Sequence, residues 1–416
     1  IINDSVVEGI IQKVNTSNNF SVNTQLINDT NTRLSIYGNY RILNKTNGVR
    51  KEKFLNSRIN YFKKSSNDII KINILYETNS GNLAQQEYTF IEVEPGVGNF
   101  KWIDINENNI QELEEFEIAQ FEDEGIYLRV LLPNQKFIKT YQNKFSQSLN
   151  INFKKWAKDK LKFKKILSHF QNQTQYLIQK QSAQENNQFD LNPFKISSKN
   201  LLGLTMNLRN SLFFNRGKQY YSTTYNFTNN RSKNSLSFGN IENDLLSHQL
   251  TFKHKLNSIL FSSAVTFENK NSKSENFESK NYTFNEVKYG PKLSYFIQDN
   301  NKIDIYYQYS NKENLISNFE TLTQNKFGIS SAFSNKNKLA INGELNYYKN
   351  KFKGNPNSII VYIMMEGLQS GNNLTWTLSI QKKVTKSVDL NLNYFARKSD
   401  NNSAIHNGSV QLKANF

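Results

Sequence analysis

Apolar and polar residues alternate along many short stretches of this chain. From Leu339 to Tyr347 every second residue is apolar or small, and the residues between them are mainly polar. Because the side chains of a β-strand point alternately to its two faces, this period of two predicts strands with one apolar face. The same period recurs at 202–208, 261–267, 303–309, 327–333, 374–380 and 388–396.

The final residues, 409–416, repeat the pattern, and Val410, Leu412, Ala414 and Phe416 share one face. This ending resembles the C-terminal β-signal of outer-membrane barrel proteins, whose last strand carries apolar side chains into lipid. Most of the alternating stretches approach the roughly 9–11 residues that a tilted strand needs to cross the hydrocarbon layer. We therefore predict an all-β fold, a transmembrane antiparallel outer-membrane β-barrel of about 14–20 strands, with a small acidic loop and helix insertion.

The composition agrees with a barrel that has a polar lining. Only 37% of the residues are hydrophobic, yet 13% are aromatic, with 30 Phe and 21 Tyr. A water-soluble chain of this length normally buries more aliphatic carbon, whereas a membrane barrel needs apolar residues only on its outer face and aromatic residues at the two interfaces. Soluble β-sandwiches, solenoids and secreted adhesins show similar alternation and stay open as alternatives. The longest apolar run, Ile359–Met365, is far shorter than the ~20 residues of a membrane-spanning helix.

Charge divides the chain into three parts. Residues 1–91 carry a net charge of +4, residues 92–124 carry −10, and residues 125–416 carry +23. A change of this size marks a separate module. We expect strands that form or adjoin the barrel over 1–91, an acidic segment over 92–135, and the barrel itself over 136–416. Because opposite charges attract, the acidic segment is expected to pack against the basic barrel and to plug or cap it.

One run within the acidic segment has the ligand spacing of a calcium loop. If Asp104 is counted as position 1 and Glu115 as position 12, side-chain oxygens fall at positions 1, 3, 5, 9 and 12, and a backbone carbonyl falls at position 7. This spacing suits a hard cation that takes about six to eight oxygens. Asn109 stands at position 6, where glycine is usual, and asparagine tolerates the left-handed backbone better than most residues. The alternative is an acidic helix start. The predicted calcium ligands are Asp104, Asn106, Asn108, the carbonyl of Ile110, Glu112 and Glu115.

The same region carries a family resemblance. The run Asp104–Glu117, followed by Phe121-Glu122-Asp123, by Tyr127–Val130 and by Pro133, resembles a segment of large, poorly characterised surface proteins of Bacteroidota. The resemblance implies that the chain is the C-terminal portion of a larger outer-membrane β-barrel protein. It also implies a role as a barrel subunit in one of the multi-subunit outer-membrane machines of that phylum, without a defined activity.

Neither nucleic-acid binding nor catalysis is predicted. The basic residues are spread over turns and polar strand positions, and no nucleic-acid-binding motif accompanies them. His169 and His248 each follow a serine, but adjacent residues on a strand point to opposite faces and form no catalytic pair. The chain has no cysteine, so it has no disulfide and no thiol nucleophile. We therefore expect no nucleic-acid partner and a chain that is not an enzyme.

These patterns favour the bacterial outer membrane and two classes of function. The first is a pore, translocation or transport component, and the alternative is a structural or interaction subunit of a larger complex with a plugged barrel. The expected partners are outer-membrane lipid and lipopolysaccharide, together with other outer-membrane or periplasmic subunits. The residues expected on the lipid face include Leu204, Ile303, Ile341, Leu345, Leu378, Leu392, Leu412 and Phe416.

Overall fold

The structure is a computed structural model of the chain, and most of the chain can be described from it. The described residues are 2–7, 9–45, 51–65, 67–84, 87–132, 137–184, 189–196, 200–217, 220–236, 239–298, 301–316, 319–335, 338–356, 358–385, 387–400 and 402–414. They form two compact units. The first consists of Ile1–Glu87, Pro133–Phe213 and Phe227–Asp244, and the second consists of Tyr88–Leu132, Phe214–Asn226 and Leu245–Phe416.

An 18-stranded antiparallel sheet accounts for most of the described residues, and its successive strands are hydrogen-bonded neighbours. This confirms the predicted all-β antiparallel fold and a strand number within the predicted range. Its strands are β1 (Ile2–Val7), β2 (Ile10–Asn28), β3 (Thr32–Lys45), β4 (Glu52–Lys64), β5 (Ile70–Ala84), β10 (Phe137–Asn152), β11 (Phe170–Ala183), β12 (Leu201–Phe214), β13 (Tyr221–Leu236), β14 (Gly239–Leu256), β15 (Ile259–Ser274), β16 (Tyr282–Gln298), β17 (Asn301–Asn314), β18 (Thr321–Asn335), β19 (Leu339–Lys353), β20 (Gly371–Lys383), β21 (Val388–Ser399) and β22 (Ile405–Ala414).

A separate four-stranded sheet lies between β5 and β10 in the sequence, over nearly the same residues as the predicted acidic segment. Its strands, in the spatial order β6-β9-β7-β8, are β6 (Glu87–Glu92), β7 (Phe100–Trp102), β8 (Phe116–Ile118) and β9 (Tyr127–Leu132). The helices are short: α1 spans Lys162–Leu167, α2 spans Ile359–Met365, and 3-10 helices span Leu113–Glu115, Glu122–Glu124, Phe153–Lys158 and Glu278–Lys280. None of the helices in the described ranges has the length and apolar character needed to cross a membrane.

In the first unit, residues 189–196 pack onto the apolar side of the sheet. Phe194 contacts Phe145 of β10 with a centroid separation of 5.1 Å. Nearby, Ile178 and Leu204 belong to one buried cluster, and Leu204 is only 2% exposed. The prediction that Leu204 faces lipid is therefore wrong, because other apolar side chains cover it.

In the second unit, the apolar face of the sheet is exposed. The strand register places Ile305, Ile329 and Leu345 side by side on β17, β18 and β19, and these residues are 55, 50 and 46% exposed. Two further members of the predicted lipid-facing set are half-buried: Ile341 and Leu392. The remaining described members are exposed: Ile303, Leu378 and Leu412. Phe416, the predicted aromatic end of the last strand, lies outside the described residues.

The opposite, polar face of the same strands holds buried charges. Asp304 is 3% exposed and accepts hydrogen bonds from Lys292 at 2.9 Å and from Lys302 at 3.0 Å. Glu286 is equally buried and lies 3.1 Å from the ammonium group of Lys288. A soluble domain has the reverse arrangement, because charged groups are rarely buried and contiguous apolar surface is rarely exposed to water.

The helix α2 forms a small core against the polar face near the end of the strands. Ile360 and Met364 of α2 pack with Phe284 of β16 and Leu322 of β18. Ser358 caps the helix by accepting a hydrogen bond from the backbone N–H of Val361 at 3.3 Å. The apolar run noticed in the sequence is therefore a buried helix between β19 and β20.

Candidate functional site

The region between β5 and β10 folds around its own aromatic core, and we call residues 88–132 the small module. Phe90 and Phe116 stack with ring centroids 4.0 Å apart, and Tyr127 meets Phe116 edge-on at 5.0 Å. Burial raises the pKa of the Tyr127 hydroxyl, which accepts a hydrogen bond from Gln111. These contacts explain how a segment of high net negative charge forms a compact structure.

Two glycines allow the chain of the small module to cross itself. The backbone N–H of Gly98 donates to the carbonyl of Gly125 at 2.9 Å. A Cβ atom on Gly98 would lie 2.5 Å from the backbone nitrogen of Tyr127, and one on Gly125 would lie 2.3 Å from the carbonyl oxygen of Gly98. Only residues without a side chain fit at this crossing.

The predicted calcium loop forms a tight turn that its own side chains hold. The carboxylate of Asp104 accepts from the backbone N–H groups of Asn108 at 3.2 Å and Asn109 at 2.9 Å. Asn106 donates to Glu112 at 2.9 Å. The φ angle of Asn109 is 58°, which is the left-handed conformation that the sequence led us to expect at this position.

Glu115, the predicted calcium ligand at position 12, is hydrogen-bonded to other groups of the small module. It is 1% exposed, and its two carboxylate oxygens accept hydrogen bonds from the indole of Trp102 at 2.7 Å and from the backbone N–H of Ile105 at 3.1 Å. Among the described residues, no three Asp, Glu or His side chains are grouped as metal ligands. Asp104, Asn106 and Asn108 do gather oxygens around the turn, and the calcium site stays a prediction.

The small module contacts the polar face of the sheet through Arg397 of β21. The guanidinium of Arg397 donates to Asp123 at 2.7 Å and to Glu124 at 3.1 Å. It also lies 4.2 Å from the centroid of the Phe121 ring, and Phe121 in turn stacks on Phe395 at 5.4 Å. The Arg397 side chain is 11% exposed, so one cation joins two carboxylates and an aromatic ring with little solvent screening.

Glu124 is the centre of a second set of contacts. It accepts hydrogen bonds from Lys101 at 3.0 Å and from the hydroxyl of Tyr362 in α2 at 2.8 Å. The Tyr362 hydroxyl also accepts from the backbone N–H of Gln120 at 3.0 Å. Burial raises the pKa of Tyr362 well above that of a free tyrosine, and the neighbouring Glu124 carboxylate raises it further.

A third contact joins the small module to the connection between β15 and β16. Lys280 donates to the carbonyl of Phe116 at 2.7 Å and lies 2.9 Å from the Glu117 carboxylate. The acidic small module thus meets cationic side chains of β21 and of the connection between β15 and β16, as the charge distribution led us to expect. Between the small module, α2 and the strand ends lies a cavity of about 760 Å³ with a mixed polar and apolar lining. Its lining includes Lys101, Trp102, Glu124, Tyr362, Gln369 and Arg397.

The C-terminal end of α2 is held by a buried lysine. Lys312 of β17 donates to the carbonyl of Met364 at 3.0 Å and lies 3.7 Å from Glu286 and 3.6 Å from Glu366. A cation at this end of a helix satisfies a carbonyl that has no partner within the helix. The helix is thereby fastened to the polar face by both apolar and charged contacts.

Sequence reasoning located the acidic segment but missed the residues that hold it. The sequence does not single out Arg397 or Tyr362, because a lone basic or aromatic residue on a strand or in a connection has no distinctive spacing. The available signal for Arg397 is its place in the pattern: it falls on the polar side of β21, next to a strand end. The signal for Tyr362 is a lone hydroxyl within the apolar run of α2.

The comparisons with known proteins are limited to structure. No protein-family model matches the sequence, and no curated protein matches it. The FrpB iron transporter from Neisseria meningitidis (F5-1 variant) matches with a TM-score of 0.43 at 9% identity, over 92% of this chain and 62% of that chain. The open form of the ferric-catecholate import receptor Fiu from E. coli K12 matches with a TM-score of 0.40 at 9% identity, over 92% of this chain and 64% of that chain. The chain therefore spans less than two thirds of either protein.

A third structure is the loop L8 deletion mutant of OmpT, an outer membrane protein of Vibrio cholerae, with a TM-score of 0.30 at 10% identity, over 88% of this chain and 96% of that chain. The prediction that the chain is not an enzyme is withdrawn, and its enzyme status is not established. Two histidines bond to tyrosine hydroxyls at 2.7 Å: His248 to Tyr225 and His406 to Tyr394.

Proposed function

We propose that this chain is an outer-membrane β-barrel protein. The observation that carries the proposal is the inverted polarity of the second unit, where Ile305, Ile329 and Leu345 are exposed while Asp304 and Glu286 are buried. Exposed apolar residues in neighbouring strands are unfavourable in water and stable against lipid chains. Charged residues on the other face are typical of a polar barrel lining.

The connections between strands support an orientation. In the second unit, the connections at one end of the strands are short, and those at the other end are longer and carry α2. The strand bounds are close together where β14 is followed by β15, β16 by β17, β18 by β19 and β20 by β21, and they are further apart where β15 is followed by β16, β17 by β18, β19 by β20 and β21 by β22. Outer-membrane barrels have short periplasmic turns and longer extracellular loops. The small module, which contacts Lys280 and Arg397 beside the longer connections, is therefore extracellular.

The chain acts as a pore, translocation or transport component. The charged groups of its polar face, among them Lys292, Asp304 and Lys326, would line the path of a polar solute. The second candidate function is that of a structural or interaction subunit whose barrel is plugged. The packing of α2 and the small module against the polar face favours it, because both occupy space along that path. Lipid, lipopolysaccharide and further outer-membrane or periplasmic subunits are the proposed partners.

Membrane insertion is tested with the full chain, expressed behind a signal peptide in a Gram-negative host. We expect the protein in the outer-membrane fraction after carbonate washing. Unheated samples should migrate faster in SDS gels than boiled samples, because a folded barrel resists the detergent. A chain that purifies as a water-soluble monomer without detergent would contradict the proposal.

Conductance in planar lipid bilayers distinguishes the two functions. An open pore gives stepwise currents from the wild-type protein. A plugged barrel gives no steps in the wild type, and steps appear when the small module is released by the substitution Arg397→Ala. A correctly inserted barrel that conducts in neither form favours the structural subunit.

A further inference from the structure

The connection between β10 and β11 in the first unit is unusually basic. We call residues 153–167 the basic segment; it contains seven lysines and one aspartate, a net charge of +6. Lys164 pairs with Asp159 at 2.8 Å, and Lys155 pairs with Asp68 at 2.9 Å. The hydrogen bond from Lys164 lowers the pKa of Asp159. The other lysines are exposed to solvent: Lys154, Lys158, Lys160, Lys162 and Lys165.

Large apolar side chains are exposed among these lysines. Phe163 is 68% exposed, Ile166 61% and Leu161 59%. Phe163 and Ile166 are three residues apart in α1, so they lie on the same side of the helix. Trp156 stacks on Phe153 with ring centroids 4.8 Å apart and adds an aromatic surface to the 3-10 helix. A solvated loop has no reason to expose such residues, whereas a segment at a membrane interface does.

The basic segment is fixed at the end of the strands where turns are short. Its start is tied to the turn between β4 and β5, because the backbone N–H of Asn152 donates to the carbonyl of Ile69 at 2.8 Å. Within the first unit, β2 meets β3 and β4 meets β5 at this end, while β11 ends and β12 begins at the opposite end. Short turns mark the periplasmic side of outer-membrane barrels, and the leaflet on that side consists of phospholipids.

We propose that the basic segment is an anchor that binds the headgroups of anionic glycerophospholipids in the periplasmic leaflet. The inference rests on the proposed function, since it requires an inserted barrel. Leu161, Phe163 and Ile166 enter the boundary between headgroups and acyl chains, and the exposed lysines pair with the phosphates above them. Clusters of four to eight basic residues next to a membrane bind anionic lipid in this way, and each residue contributes about 1 kcal/mol.

The test measures which lipids surround the basic segment in the full-length protein. Because the chain has no cysteine, the substitution Ala157→Cys provides a single site for a fluorophore, and Ala157 is exposed. The labelled protein is inserted into bilayers of phosphatidylcholine and phosphatidylglycerol, with a nitroxide on one lipid or the other. We expect quenching by nitroxide-phosphatidylglycerol to exceed quenching by nitroxide-phosphatidylcholine about two- to threefold.

Two sets of substitutions separate the charge of the basic segment from the charge of the whole protein. Replacing Lys154, Lys158, Lys160, Lys162 and Lys165 by Gln should bring the quenching ratio to about one, and replacing them by Arg should preserve it. The matched control replaces five exposed lysines at other strand ends by Gln and should leave the ratio unchanged. These control positions are Lys53, Lys349, Lys351, Lys353 and Lys398.

The outcomes keep the inference and the proposed function apart. A five-Gln variant that inserts as a heat-modifiable barrel and retains the wild-type ratio overturns the anchor and leaves the barrel standing. Quenching only by a nitroxide-labelled lipopolysaccharide would also overturn it. If the variant fails to fold, the wild type is measured in rising salt, because the Debye length falls from about 10 Å at 0.1 M to about 3 Å at 1 M. A ratio that does not fall with salt contradicts the anchor.

Discussion

Arg397 of β21 and Asp123 of the small module lie 2.7 Å apart, although their positions in the sequence differ by 274. The same guanidinium reaches Glu124 and covers the ring of Phe121. Arg397 is thus a single point through which much of the attraction between the acidic small module and the polar face acts. Removing it leaves Asp123 without its cation and leaves Glu124 with Lys101 as its remaining cation, in a poorly solvated place.

We expect Arg397→Ala to release the small module from the sheet. The loss should be about 2–5 kcal/mol of docking free energy, as for other truncated charge pairs with little solvent access. Limited proteolysis of the folded protein should show new cleavage near Phe121. Arg41→Ala is the control, because Arg41 is exposed and lies over Phe54 of the first unit. Equal protection of Phe121 in the two variants would show that Arg397 does not hold the small module.

The pattern of the sequence predicts faces well and contacts poorly. The period of two identified Leu345 and Ile303 as exposed apolar residues, because one strand is enough to define its two sides. It failed for Leu204, since alternation does not report which other segment covers a face. The apolar run of α2 was visible, but its position against Phe284 and Leu322 depends on strands far away in sequence.

In the candidate site, too, the sequence predicts some features but not the contacts between side chains. The charge pattern located the acidic segment, and Asn109 could be assigned a left-handed conformation from its place in the loop. The pairing of Glu115 with Trp102 could not be predicted, because a ligand position in a calcium loop and a buried acceptor for an indole use the same side chain. Only the fold shows which donors approach each carboxylate.

The calcium prediction is tested by metal and by substitution together. Asp104→Ala with Glu115→Gln should loosen the small module, seen as new cleavage near Trp102, and a chelator should have the same effect on the wild type. Glu115→Gln alone removes the negative charge but keeps an oxygen that can accept the hydrogen bond from Trp102. It therefore tests the effect of the charge apart from that of the hydrogen bond. If the double substitution loosens the small module while chelation and added calcium change nothing, the loop is held by its own hydrogen bonds.

Gly98→Ala should disrupt the small module without affecting the large sheet. Its Cβ atom would lie 2.5 Å from a backbone nitrogen that cannot move aside easily. Overpacking of this kind costs about 1–3 kcal/mol. Hydrogen exchange over 98–127 should accelerate in the variant. Gly38→Ala is the matched control, because no atom lies within 4 Å of the Cβ position there, and it should leave this exchange unchanged.

Docking of the small module should weaken at alkaline pH through Tyr362. Its pKa in the docked state is raised by burial and by Glu124, so the docked state holds the phenolic proton more tightly than the released state does. The stabilisation is therefore complete below the ordinary tyrosine pKa of about 10 and is lost as the pH rises above it. Tyr362→Phe should flatten the dependence of docking on pH between about 9 and 12. Tyr220→Phe, at a residue 72% exposed, should retain the wild-type slope.

Leu345→Arg should impair insertion because Leu345 belongs to the exposed apolar face. An arginine on the lipid side of a barrel costs about 2–4 kcal/mol near the middle of the bilayer, and the same penalty is expected for Leu392→Arg. The measurement is the equilibrium stability of the barrel refolded into lipid vesicles. Asn342→Arg is the control, since Asn342 lies on the same strand but on the polar face, and it should cost much less. If the two arginines cost the same, the apolar face does not contact lipid. The inverted polarity of the sheet would then require a protein partner instead.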